Sequence, residues 1–153
     1  MSGLAAGLIA HQQRLVGAYG PVRKHALSIG TPDHRNDRMH VTRVDAAQPY
    51  AAPKHFDMCA LRLQGFDASP AHNFWVGLSH FLPGGGAESD ATPLEKVYVV
   101  IGGTVTVSTD EGEIDLQPLD SCHLSAGERR SIVNNTNRPA SMLVVMPYPK
   151  EAP

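Results

Sequence analysis

Cysteine is scarce in this sequence: Cys59 and Cys122 are the 2 in 153 residues. They lie far apart and form no CxxC pair, which argues against a disulfide scaffold and fits buried thiols in a reducing compartment. Long apolar runs are also missing. None approaches the roughly 20 residues that span a bilayer. The N-terminus carries Leu4, Leu8 and Ile9 but no basic region, and His11-Gln12-Gln13 interrupts it. No signal peptide is expected, and the cytoplasm is the default location. Neither sign of charge dominates: 13 Lys and Arg stand against 15 Asp and Glu. The cations form no run longer than a pair, such as Arg129-Arg130, so there is no phosphate-tracking stripe and no nucleic-acid or membrane partner is expected. The chain has no GxSxG, P-loop or dinucleotide fingerprint. Gly84-Gly85-Gly86 is followed by acids, which repel phosphate, and reads as a turn.

Hydrophobic residues make up 42% of the chain, enough for one packed core in one domain. Leu4, Leu8, Leu15 and Tyr19 recur at near-helical spacing, Ser2 can cap the start and Gly20-Pro21 stops it, so a helix is expected at 3–19. Residues 21–37 have no period and read as an extended arm. The expected division is helix and arm over 1–39, then one barrel domain over 40–153. Short strands are expected at 40–45, 55–63, 73–82, 95–101, 104–109, 112–117, 121–125, 130–134 and 141–146, each bounded by Gly, Pro, Asn or Asp. VTVSTDEGEIDL is the clearest hairpin, turning through Asp110-Glu111-Gly112. Many short strands with no later helix predict an all-β sandwich or barrel.

The most informative stretch is 83–102, PGGGAESDATPLEKVYVVIG. Glu95 and Gly102 enclose six residues, behind a Pro-Gly turn. A second stretch, LDSCHLSAGERRSIVN, holds Asp120, Gly127 and Asn134. Together these resemble the two motifs of the cupin superfamily. The first runs Gly, five residues, His-x-His, three or four residues, Glu, six residues, Gly. The second runs Gly-Asp, four residues, Pro-x-Gly, two residues, His, three residues, Asn. The resemblance covers about 73–146 and implies a cupin-type jelly-roll β-barrel of the RmlC-like kind, with its ligand site in the barrel mouth.

The chain departs from the motifs at the ligands. A four-residue spacer puts Glu88 and Asp90 at the two histidine positions, whereas a three-residue spacer would put Ser89 and Ala91 there. Leu119, Ser125 and Arg130 replace the glycine, proline and histidine of the second motif. The resemblance thus implies a site from which three imidazoles are missing, poorly suited to the redox iron of a dioxygenase.

It also implies that Glu88, Asp90, Glu95 and Arg130 share one mouth. Three adjacent carboxylates cannot all ionise cheaply, which leaves three readings. Arg130 could plug a dead metal site by pairing with Glu95 or Glu88. It could clamp a substrate carboxylate while Glu88 or Glu95 moves a proton. Or Glu88, Asp90 and Glu95 could hold a hard divalent metal ion, the one cofactor considered beside none.

His80, at the end of a strand entering the motif, is a further candidate base, although a satisfied or interface histidine is the blander reading. Asp90 and Asn134 are candidate substrate contacts beside Arg130. His123 alternates with Cys122 and Leu124 and is expected to face outward. Tyr98, opposite in parity to Glu95, is expected to pack on the outer sheet or a partner subunit. His55 carries no specific signal.

The leading expectation is a metal-independent acid–base enzyme, an isomerase, lyase or hydrolase, acting on a small anionic organic metabolite. A non-catalytic binding or accessory barrel and a carboxylate-metal enzyme are the alternatives. A free sheet edge and the long arm predict a homodimer.

Overall fold

The architecture comes from a computed structural model that describes residues 39–149. The expected helix at 3–19 and the arm at 21–37 lie outside the described residues. Nine strands follow: β1 Gln48–Tyr50, β2 His55–Gln64, β3 Phe74–Ala91, β4 Lys96–Gly102, β5 Val105–Thr109, β6 Gly112–Leu116, β7 Ser121–Leu124, β8 Arg129–Val133 and β9 Ala140–Pro147. A 3₁₀ turn, Phe66–Ala68, separates β2 from β3. All strand pairs are antiparallel, in the order β6-β5-β8-β3-β9-β4-β7, with β2 on β3 and β1 on β2. The sheet curls into a nearly closed jelly-roll barrel.

Period-2 patterning sets the inside. In β4, Lys96, Tyr98 and Val100 are buried, and Val97 and Val99, between them, are only partly so. In β9, Ala140, Met142 and Val144 are buried, and Arg130 and Ile132 are buried in β8. Phe81, Val100, Val105, Ile132 and Met142 are fully enclosed at the centre, each worth about 1.5–3 kcal/mol of transfer free energy.

Two expectations about the chain's path are corrected. Residues 40–45 form no strand; a turn closed by Ala46 N–H to Arg43 O occupies the end of that segment. The glycine triplet is not a turn between strands either. It lies within β3, an 18-residue strand that changes partner along its length. Phe74 to Phe81 pair with β9, and Gly86 to Ala91 pair with β8.

The bend between these halves needs close backbone approach. A Cβ on Gly86 would stand 2.0 Å from the Ile132 carbonyl oxygen, and one on Gly85 would stand 2.1 Å from that of Asp57. Gly84 has φ +79. Asn134 pins the bend: its Nδ2 donates to the carbonyls of Phe81, Leu82 and Arg138, and its backbone exchanges hydrogen bonds with Gly84 and Gly85. This bend carries Asp90 to a position directly across from Arg130.

Candidate functional site

The site grows from Arg130. Its guanidinium donates through Nε to the Tyr98 hydroxyl at 2.8 Å and through Nη1 to the Asp90 backbone carbonyl at 3.1 Å. Arg130 is only 6% exposed, and Lys96 and Tyr98 beside it are 3% exposed. No carboxylate among the described residues pairs with Arg130. Asp90, its cross-strand partner, instead accepts through Oδ1 from Lys54 Nζ at 2.6 Å. Lys96 Nζ donates to Thr92 Oγ1 at 2.6 Å.

Charge in this mouth is therefore unbalanced. Lys54, Lys96 and Arg130 face one carboxylate, Asp90. Burial, then repulsion from Arg130, pushes the Lys96 amine from 10.5 to about 8. Asp90 is held below its ordinary value, chiefly by the hydrogen bond from Lys54. Burial raises Tyr98, against the pull of Arg130.

His55 joins the cluster, its pKa lowered by burial and by repulsion from Arg130 and Lys96, against a backbone hydrogen bond that raises it. Its Nδ1 lies 2.7 Å from the Pro53 carbonyl. A carbonyl only accepts, so Nδ1 carries the hydrogen and Nε2 of the neutral ring keeps the lone pair. Lys54 and Asp57, on either side of His55 and Phe56, adopt left-handed φ of 59 and 46. Each such position costs about 1–2 kcal/mol. Lys54 is held there by its bond to Asp90 and by Glu88 N–H donating to its carbonyl.

The sequence-derived residues divide. Arg130 and Asp90 meet across β3 and β8. Glu95 does not join them: it is exposed and binds His123 Nε2 at 3.0 Å, with side chains 64% and 54% exposed. Glu88 is exposed too. His80 contacts Ser141 Oγ at 2.8 Å, and burial lowers its pKa. Ser79 shares a row with Met142 and Val100, so the adjacent His80 faces away from the barrel interior. Asn134 is fully buried and fully committed to the bend, with its Oδ1 taken by Thr136, so it has no free group for a ligand. Tyr98 corrects the expectation of an outer position, because it lies inside and accepts from Arg130.

Glycine geometry explains the displaced Glu95. Gly103 has φ +70, and a Cβ there would stand 2.7 Å from the Pro139 carbonyl oxygen, whereas Gly102 has open space. Gly103 is thus the constrained turn glycine, and the residue separated from it by six others is Lys96, not Glu95. A lysine occupies the position of the motif glutamate and an arginine that of its last histidine. No group of three or more His, Cys, Asp or Glu fit for a metal exists among the described residues. Two cations at ligand positions do not fit the divalent metal that such barrels commonly hold, because they repel it and donate no lone pair while protonated.

Aromatic rings extend the inner face. Arg62, Gly77, Val144, Tyr98 and Cys122 share one row across five strands. A Cβ on Gly77 would meet the Tyr50 hydroxyl at 2.7 Å and the Trp75 ring at 3.0 Å. A cleft of about 290 Å³ opens where the β5–β6 hairpin faces β7, lined in part by Glu113, Glu128 and His123. Its Cys122 and Leu124 pair with Tyr98 and Lys96, so the cleft and the cationic cluster share a wall.

Comparison with known proteins agrees with this architecture. The pattern of the cupin domain family matches residues 77–146. Beta-D-galactosidase Rv1717 of Mycobacterium tuberculosis is 47% identical over 111 residues, covering 72% of this chain and 96% of that protein. Among solved structures, the polyketide cyclase RemF from Streptomyces resistomycificus superposes with a TM-score of 0.67 at 17% identity, over 75% of this chain and 83% of its own. A sugar phosphate isomerase from Silicibacter pomeroyi does so with a TM-score of 0.61 at 24% identity, over 70% and 74%. At such identities the two structures establish the fold alone. With the cupin pattern over residues 77–146, a relative 47% identical over 72% of the chain and the same barrel in solved structures, the chain belongs to the cupin superfamily.

Proposed function

We propose that the mouth around Arg130, Lys96, Tyr98, Asp90 and His55 is the active site of a metal-independent acid–base enzyme for a small anionic organic ligand. The observation that carries this reading is the buried Arg130 guanidinium without a carboxylate partner among the described residues, next to a buried lysine whose pKa is pushed down to about 8. Excess buried cations are costly unless an anion joins them. A bound carboxylate or phosphate would meet the unpaired charge and the guanidinium fork together.

Proton transfer in this reading belongs to Lys96 and His55. An amine near 8 exchanges protons readily at physiological pH. Asp90, held below its ordinary value, stays ionised and acts as a base or as fixed charge rather than as the acid. Glu88 and Glu95 lie outside the mouth and drop out of this scheme, as does His80.

Hydrolysis of a galactoside-type bond is the reaction we favour among isomerase, lyase and hydrolase chemistries. The near-full-length relative bearing the galactosidase name supports it. Most glycosidases use two carboxylates. This mouth contains Asp90 alone, so Lys96 or His55 supplies the second group. The lowered pKa of Asp90 favours one competing reading, a non-catalytic binding module. We place the protein in the cytoplasm as a homodimer on the same sequence grounds as above.

The test is release of nitrophenol from nitrophenyl β-D-galactoside by wild type, Arg130→Ala and Lys96→Met, with direct titration of galactose and galacturonate. Turnover by wild type, lost in both folded variants, is the expected result. Ligand binding without turnover would leave the binding module. Unchanged binding in Arg130→Ala would defeat the clamp.

A further inference from the structure

The Arg62 guanidinium carbon lies 4.0 Å from the ring centre of Tyr50, 4.3 Å from that of Phe66 and 4.4 Å from that of Trp75. Three aromatic faces hold the planar group in place. The rings brace one another as well: Phe66 packs on Trp75 at 5.9 Å and Tyr50 on Trp75 at 6.1 Å, edge to face. One end of this cation is unsatisfied. Arg62 Nη1 is buried with no hydrogen-bond partner among the described residues. Asp67 is near enough to act on Arg62 electrostatically, as are the Tyr50 and Tyr148 hydroxyls, but no carboxylate among the described residues forms an ion pair with it.

A buried donor left open, on an arginine fixed by three rings, is prepared for an acceptor that arrives with a ligand. Strand register shows which ligand it would meet. Arg62 shares its row with Tyr98, the residue that holds Arg130; Gly77 and Val144 lie between them, and the Tyr50 hydroxyl, the Trp75 ring and a Val144 methyl line the space over Gly77. Three strand spacings of about 4.8 Å separate the two backbones. Tyr50 spans part of that distance, since its hydroxyl lies over Gly77 and it feels both Arg62 and Tyr98.

We propose that Arg62, fixed by Tyr50, Phe66 and Trp75 on the barrel's inner face, is an anion subsite that selects ligands carrying a carboxylate or phosphate remote from the reacting end at Lys96. This rests on the mouth being the active site, and it deepens that reading from a sugar to an acidic sugar. Arg62 is a specificity residue here, not a catalytic one.

The experiment is calorimetric titration of wild type, Arg62→Gln and Arg62→Lys with inorganic phosphate, galacturonate, galactose 6-phosphate and galactose. Wild type should prefer at least one acidic sugar over galactose by about 10-fold. Arg62→Gln should lower that preference without changing galactose affinity, leaving only the part that belongs to the Arg130 clamp, and should weaken phosphate binding. Arg62→Lys keeps a cation over the rings and should retain phosphate binding within about threefold.

Phosphate affinity equal in wild type and Arg62→Gln overturns the subsite, as does an equal loss of galactose and acidic sugars. Failure of Arg62→Lys to retain phosphate, with the fold intact by circular dichroism, also overturns it. If no sugar binds but phosphate binding depends on Arg62, the subsite stands and the glycoside reading falls.

Discussion

Replacing Lys96 with methionine should make the protein more stable, by an amount that depends on pH. Lys96 is buried, and its amine titrates near 8 instead of 10.5. The native state therefore penalises the charged form by about 3 kcal/mol, at about 1.4 kcal/mol per pH unit. That cost is fully present below pH 8, where the lysine is protonated both folded and unfolded. Between 8 and 10.5 the unfolded chain holds a proton that the native state has lost, so wild-type stability rises with pH. Methionine matches the stem but forfeits the bond to Thr92 Oγ1, worth about 1 kcal/mol. The net gain at pH 7 should be about 2 kcal/mol. It should shrink by about 2 kcal/mol by pH 9.5, leaving the two proteins nearly equal. Burial also raises Cys122 from 9.0, but that thiol is common to both proteins and cancels in the difference. Urea denaturation at pH 7 and 9.5, in buffers without phosphate or carboxylate, measures both values. A variant less stable at pH 7, or a difference that ignores pH, would refute the claim that a buried, strained charge sits there. A residue whose removal stabilises the fold and abolishes turnover is kept for function rather than for folding.

Gly103→Ala should destabilise by about 2–3 kcal/mol, since φ is +70 and the Pro139 carbonyl is 2.7 Å from the added carbon, whereas Gly102→Ala should cost less than about 1 kcal/mol; thermal melting of the pair measures both. Asn134→Ala should cost about 3 kcal/mol or more by removing the Nδ2 donor to the Phe81 and Leu82 carbonyls and the Oδ1 acceptor of Thr136, with ligand affinity unchanged in whatever protein remains folded. Glu95→Gln should leave turnover within about twofold and stability within about 0.5 kcal/mol, because its side-chain partner among the described residues, His123, is as exposed as Glu95 itself. A tenfold loss of kcat in that variant would restore Glu95 to the site.

The barrel was legible because alternation survives in short segments. β4, β5, β8 and β9 follow inward-facing valines, Ile132 and Met142 that recur at period 2, with turn residues at each end. Less legible was β3, because a bend stabilised by backbone approach at Gly85 and Gly86 reads in sequence like a turn. Arg130 stood out as the residue replacing a motif histidine. Lys54, His55, Arg62 and Trp75 did not, since register alone brings them together, and register is a long-range property.

The identity of the buried residue at the start of β4 decides the chemistry, and it turned on a single position. Glu95 with Gly102 and Lys96 with Gly103 satisfy the same six-residue spacing. In a strand, a shift of one residue exchanges the two faces. The first frame puts an acid among acids and calls for a cation to neutralise them. The second puts a lysine beside an arginine and calls for an anion. Burial, glycine φ and the Lys96–Thr92 bond all select the second. Spacing could not separate the two frames. What separates them is that Lys96 alternates in phase with Tyr98 and Val100, two residues whose size and apolarity place them inside the barrel. In-phase burial makes the mouth a receptor for negative charge.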